Sequence, residues 1–271
     1  MANTFAQRFG NNQTRIQQGL AVFDDPKIVK YVADPRLRAA IAILKGTAGE
    51  AAIAAIRNGN FARVIFGPLE TGGSANAIAV SRLVPGDPRQ TIIFNERYRY
   101  EDVRLLAEVM AHEVLHVGNL VSNKEELIAN TVDALVYAQL LLEDPGIARS
   151  GTELARRLNT KLMALINSRD ASGRIRILTS STTNVYPGSS GPPLPYFAAA
   201  FLPFGADTPG NATLAAELSA VTRMNITAAN FDDRTVRLLD QNINLLTPSQ
   251  WVRLAGILRL ATGVCTSGVQ Y

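Results

Sequence analysis

His112-Glu113-Val114-Leu115-His116 sets the first limit on how this chain can fold. The sequence contains only two histidines, and both lie here. On an α-helix, positions i and i+4 stand one above the other on one face, so the two imidazoles can share one metal ion. Glu113 is turned about 100° from His112 and reaches an attacking water rather than the metal. The competing reading is a chance match on a surface helix. The flanking sequence speaks against it. Residues 101–117 hold no Pro or Gly and are apolar on almost every side, which is the pattern of a buried helix. Glu101 and Asp102 are expected in its first turn, and Gly118 as a left-handed cap at its end. Three polar groups in such a helix need partners, and a metal in a cleft supplies them.

Around this segment the apolar period changes twice. Up to about residue 60 the spacing is helical, at 28–32, 37–44 and 51–56, with Pro26 and Pro35 as punctuation. Residues 62–66, 77–80 and 91–94 are short and β-branched or alternating. They are separated by Gly72-Gly73 and Pro85-Gly86-Asp87-Pro88, and read as three strands joined by hairpins. After the motif, helices are expected at 122–143 and 152–168, then a short strand at 174–178. A Ser/Pro/Gly-rich stretch at 180–210 reads as a long loop or linker. Helices follow at 212–221, 232–243 and 247–261. Thr247-Pro248-Ser249-Gln250 opens the last of these with a cap, a first-turn Pro and a capping-box Gln. The expected division is a helical segment at 1–60, a catalytic core at 61–145 and a mainly helical part at 146–271.

A catalytic metal site usually takes three protein ligands and leaves one position open. No histidine remains, and the single cysteine, Cys265, lies near the end of the sequence, so the third ligand should be a carboxylate. Ser122-Asn123-Lys124-Glu125 fits a capping box, which engages Glu125 and leaves Glu126 in the first turn. In an antiparallel helix pair Glu126 looks across at His116. Glu125 and Asp133 are the alternatives. Asn130 and Asp133 share the Glu126 face, and either can orient His112 through its second ring nitrogen. Asp133 reads equally well as an exposed helix charge.

Together these residues resemble the gluzincin metallopeptidases, whose signature is HExxH with a downstream Glu ligand. Glu126-Leu127-Ile128-Ala129-Asn130 resembles their ExxAN segment, and the stretch LLAEVMAHEVLH is similar to their active-site helices. Asn76-Ala77-Ile78-Ala79 resembles the edge strand that pairs with substrate in thermolysin-like relatives. The resemblance covers about residues 61–143. It implies a mostly helical α+β fold with a zincin-like core, in which a small three-stranded sheet and two active-site helices lie between N- and C-terminal helical parts. It implies one Zn2+ per chain on His112, His116 and Glu126, with Glu113 as general base and Asn76 and Ala77 binding an extended peptide. Thermolysin-like enzymes add a histidine donor for the transition state, and none is left here. Tyr186 and Tyr196, in the long loop, are the candidates for that role. The metzincin pattern would need a histidine where Ser122 stands. The aminopeptidase GxMEN motif is absent, which favours endopeptidase action.

The expected function is therefore zinc-dependent hydrolysis of peptide or protein substrates. One alternative is a regulatory peptidase with a single protein target. Another is a zinc-stabilised binding protein without catalysis, against which a retained Glu113 argues. A net charge of +4 without a Lys/Arg cluster gives no reason to expect nucleic acid as partner. One cysteine excludes an intrachain disulfide framework. No stretch is long and apolar enough to span a bilayer. The first residues lack a basic-then-apolar signal, which suggests the cytoplasm, or an exported protein whose signal has been removed.

Overall fold

The computed structural model describes residues 13–69, 77–116, 123–167 and 248–262. It is a mostly helical α+β structure with a small three-stranded mixed sheet. The N-terminal part holds α1 (Gln13–Phe23), α2 (Pro26–Tyr31), α3 (Pro35–Ile43) and α4 (Ala51–Arg57). α2 and α3 each begin at an Asp-Pro pair. Asp25 and Asp34 accept the Lys27 and Arg36 backbone N–H groups at 2.8 Å, while the proline takes the first helical position. This satisfies an N–H that the helix itself leaves open and presets φ.

α3 packs along α5 (Val103–Glu113), the helix that carries the motif. Small residues make this close approach possible: Ala39, Ala40 and Ala42 are all buried on α3. Gly49 lies where the chain after α3 passes α5. A Cβ there would stand 2.8 Å from the Ala111 Cβ and 3.0 Å from Val136, so a side chain would press on the turn beside His112. Arg36 holds the entry to α5 from the other end. Its Nε donates to the Arg99 carbonyl at 2.6 Å, and its guanidinium also donates to the Glu101 carbonyl. The fork geometry of arginine suits two carbonyls on one segment.

The sheet comprises β1 (Arg63–Gly67), β2 (Ala79–Leu83) and β3 (Gln90–Asn95), in the order β1-β3-β2. β1 runs parallel to β3 (Val64 beside Ile92), and β2 runs antiparallel to it (Val80 beside Ile93). Only β2 and β3 therefore form a hairpin; β1 and β2, expected to be joined by one, are separated by β3. The reason is burial. Every residue of β3 is buried, so the strand needs a neighbour on both sides, whereas β1 and β2 each include exposed positions.

α5 is shorter than the sequence suggests. Asp102 precedes it as N-cap, accepting the Arg104 N–H at 2.9 Å, and Glu101 lies outside the helix. A carboxylate with a turn-forming preference does more at the cap than inside the first turn. At the far end the chain tightens after Glu113. Leu115 N–H donates to the His112 carbonyl at 3.0 Å, and His116 N–H to the Glu113 carbonyl at 3.2 Å. These bonds span three residues rather than four, so His116 follows the α-helix on a 3₁₀-type turn. Gly118 lies outside the described residues.

α6 (Asn123–Glu143) runs antiparallel to α5. Arg104, early in α5, reaches Asp144 just past the end of α6, while His112, late in α5, meets Asp133 further back along α6. α7 (Glu153–Asn167) and α8 (Pro248–Thr262) pack against α6 and one another. Asn159 of α7 accepts the Tyr137 hydroxyl of α6 at 2.8 Å and donates to the Ala148 carbonyl at 2.9 Å, a buried polar joint with both ends satisfied. One buried apolar cluster runs from Val22 to Leu258, across the divisions expected at 60 and 145. The strand expected at 174–178, the loop at 180–210 and the helices at 212–221 and 232–243 lie outside the described residues. Among the described residues no helix is long and apolar enough to cross a membrane.

Candidate metal centre

The last turn of α5 and the turn after it bring His112, Glu113 and His116 together. The imidazole centroids are 5.0 Å apart, with the ring planes at 61°. Glu113 is only 6% exposed, and its carbonyl accepts the Ser81 hydroxyl of β2 at 2.9 Å. The sheet edge is thus tied directly to the motif.

Behind His112 stands Asp133 of α6. Its Oδ2 lies 2.9 Å from His112 Nδ1. A carboxylate oxygen can only accept, so this contact places a ring hydrogen on Nδ1, and in the neutral ring the lone pair is then on Nε2. Metal-bound histidines have this arrangement, one nitrogen held by a carboxylate and the other turned to the ion. Asp133 is 1% exposed, so it is no surface charge. The same Oδ2 also accepts from the Lys161 ammonium of α7, which would oppose a cation bound to that oxygen. Asp133 Oδ2 is thus shared between the His112 ring and the Lys161 ammonium.

Two further groups complete this cluster, and sequence reasoning missed both. Glu108 stands four residues before His112 on the same helix face and is 1% exposed. Its Oε1 lies 3.4 Å from Lys161 Nζ. Burial, followed by the negative charge of Asp133, pushes the Glu108 carboxyl up to about 8 against the pull of Lys161. Burial works against the charge on Lys161, but Asp133 and Glu108 outweigh it and hold the ammonium above the ordinary lysine range. Glu108 Oε2 and Asp133 Oδ1 are buried and lack a donor among the described residues. A proton kept on Glu108 gives this acceptor-rich pair a donor. Glu108 left a trace in the sequence as a lone acid one turn before His112 in an apolar run. Lys161 left none, because α7 also carries Arg156 and Arg157 and reads as a solvated face.

A stability prediction follows. In the unfolded chain Glu108 titrates near 4.5, and in the fold near 8. Between those values the unfolded chain binds fewer protons, so stability is greatest below the window and falls as pH rises through it. Denaturant titrations of chelator-treated protein at about pH 5 and 8 should show the wild type losing more stability than Glu108→Gln. Equal losses would mean that Glu108 titrates normally.

The remaining expected site residues are only partly described. Glu126 and Asn130 lie on the α6 backbone, but their side chains are outside the description, as are Asn76, Tyr186 and Tyr196. Among the described residues no group of three His, Cys, Asp or Glu side chains is placed to hold a metal. Ala77 lies just before β2, and its carbonyl accepts the Asn95 side-chain amide at 3.2 Å. That carbonyl is turned towards β3. Asn95 N–H also donates to the Ile78 carbonyl at 2.8 Å. Hydrogen-bonded pairs alternate along an antiparallel ladder, so Ile78, Val80 and Arg82 bond inward, and the backbone groups of Ala79 and Ser81 point to the outer edge. Among the described residues β2 is thus an edge strand of the sheet.

Comparison with known proteins finds no family model, no curated protein and no solved structure that matches the chain.

Proposed function

We propose that the chain is a zinc-dependent peptidase that cleaves within peptide chains. The observation that carries this reading is the His112 ring. It is anchored through Nδ1 to a buried carboxylate, and its centroid lies 5.0 Å from that of the only other histidine ring. The donor set fits the metal: two imidazoles suit zinc, and the second nitrogen of one already has its partner. His112 and His116 would hold the ion, with Glu126 from the first turn of α6 as the third ligand. When bound, zinc supplies a Lewis acid that acidifies water and polarises a carbonyl.

The other steps belong to the chain. Glu113 accepts the proton of the attacking water and returns it to the leaving amine. The outer edge of β2 offers the Ala79 and Ser81 backbone groups to an extended peptide, and the Ser81 bond to Glu113 sets that peptide beside the base. This geometry suits a substrate that continues on both sides of the scissile bond.

Purified protein should contain about one zinc per chain. His112→Ala and His116→Ala should each bring that to near zero by elemental analysis, and a peptide library should be cut by the parent in a chelator-sensitive way. Full zinc content without either imidazole would overturn the reading. Zinc without cleavage of any peptide would favour the non-catalytic alternative.

A further inference from the structure

We propose that Lys161 is a positioning residue for this centre: reaching across from α7, it fixes the Asp133 carboxylate that holds the His112 ring in place. The assignment of a metal to that ring rests on the reading above; the action of Lys161 on the ring does not.

Three helices meet at one oxygen. Asp133 Oδ2, on α6, accepts from His112 Nδ1 of α5 at 2.9 Å and from Lys161 Nζ of α7. Both Asp133 and Glu108 are 1% exposed, and the Lys161 side chain is 15% exposed, so water plays little part in orienting the carboxylate. An aspartate side chain has two rotatable bonds, and His112 is itself mobile about its own. Each alone would leave the pair free to swing together. A donor from a third helix removes that freedom, because Lys161 is in turn held by Glu108, one turn below His112 on α5. The loop from α5 through α6 and α7 back to α5 is closed. Partners behind a metal-bound histidine typically alter metal affinity by about 10–100-fold when lost, through ring orientation. A salt bridge that only offset buried charge would instead show itself as global stability.

The test exploits the two histidines of the full chain. With ¹⁵N-labelled histidine, only two ring systems appear, and a His116→Gln sample assigns them. In metal-free wild type, His112 should carry its hydrogen on Nδ1 and exchange it slowly with water. Lys161→Met should lose that protection and weaken zinc binding about tenfold, read with a competing chelator. In an Asp133→Asn background the same substitution should change zinc affinity by no more than about twofold, because Lys161 acts through Asp133. An unchanged ring signal or zinc affinity in Lys161→Met overturns the proposal, as does an equal loss in the Asp133→Asn background. So does a wild-type His112 with its hydrogen on Nε2. If Lys161→Met does not fold, Lys161→Gln replaces it with the same expected ranking. If the wild type binds no zinc, the peptidase reading fails, and the ring signal alone decides the role of Lys161.

Discussion

Glu113→Gln is expected to keep the fold and about one zinc per chain while losing hydrolysis by about 10²–10⁴-fold, the range that a positioned general base supplies. The substitution is nearly isosteric. It leaves the Glu113 carbonyl bonded to Ser81, because that contact uses the backbone. It leaves the two imidazoles untouched, because Glu113 is turned away from the face that His112 and His116 share. The amide that replaces the carboxylate cannot accept the proton of the attacking water. Zinc content and peptide cleavage measured on the same preparation check both halves. Cleavage at the parent rate would show that another group is the base. Loss of zinc alongside activity would show that Glu113 holds the metal, which would redraw the site.

The second large effect separates two adjacent acids. Glu126→Ala should weaken zinc binding by more than the about 10–100-fold that loss of an orienting partner costs, while barely altering the metal-free fold. Glu125→Ala should leave zinc affinity nearly intact and cost about 1 kcal/mol of stability, as for a lost cap interaction. The position of Asp133 supports this ranking. Asp133 lies seven positions after Glu126, which is close to two helical turns, so position 126 has the phase of the residue that meets α5. Because α5 and α6 are antiparallel, moving from Asp133 towards the start of α6 moves from His112 towards His116. Position 125 is turned about 100° off that phase. α6 begins at Asn123, and in the sequence Ser122 and Glu125 have the spacing that a capping box requires. Chelator competition on the two variants, with denaturant titration alongside, distinguishes them. The reverse order would assign the ligand to Glu125.

Whatever depends on near neighbours was legible in the residues alone. The spacing of His112, Glu113 and His116 placed three groups within one turn, and the tightened end of α5 alters their relation without separating them. Helices α2 to α4 were legible from apolar spacing with Pro26 and Pro35 as punctuation, because both signals are local; the Asp25 and Asp34 caps were not read from the sequence. Strand positions were legible to within a few residues for the same reason. What joins distant segments was decided only by the tertiary structure. Strand order is one case: β3 lies between its neighbours because its six residues are all buried, and no turn signal between β1 and β2 carries that information. The choice between Asn130 and Asp133 is another. Both share a helix face by period, and only the packing of α6 on α5 brings Asp133 to His112 Nδ1. Lys161 is the clearest case. In sequence it is one cation among several on an amphipathic helix. In the fold it is part-buried against two carboxylates from two other helices, and desolvation makes that pairing matter far more than it would at the surface.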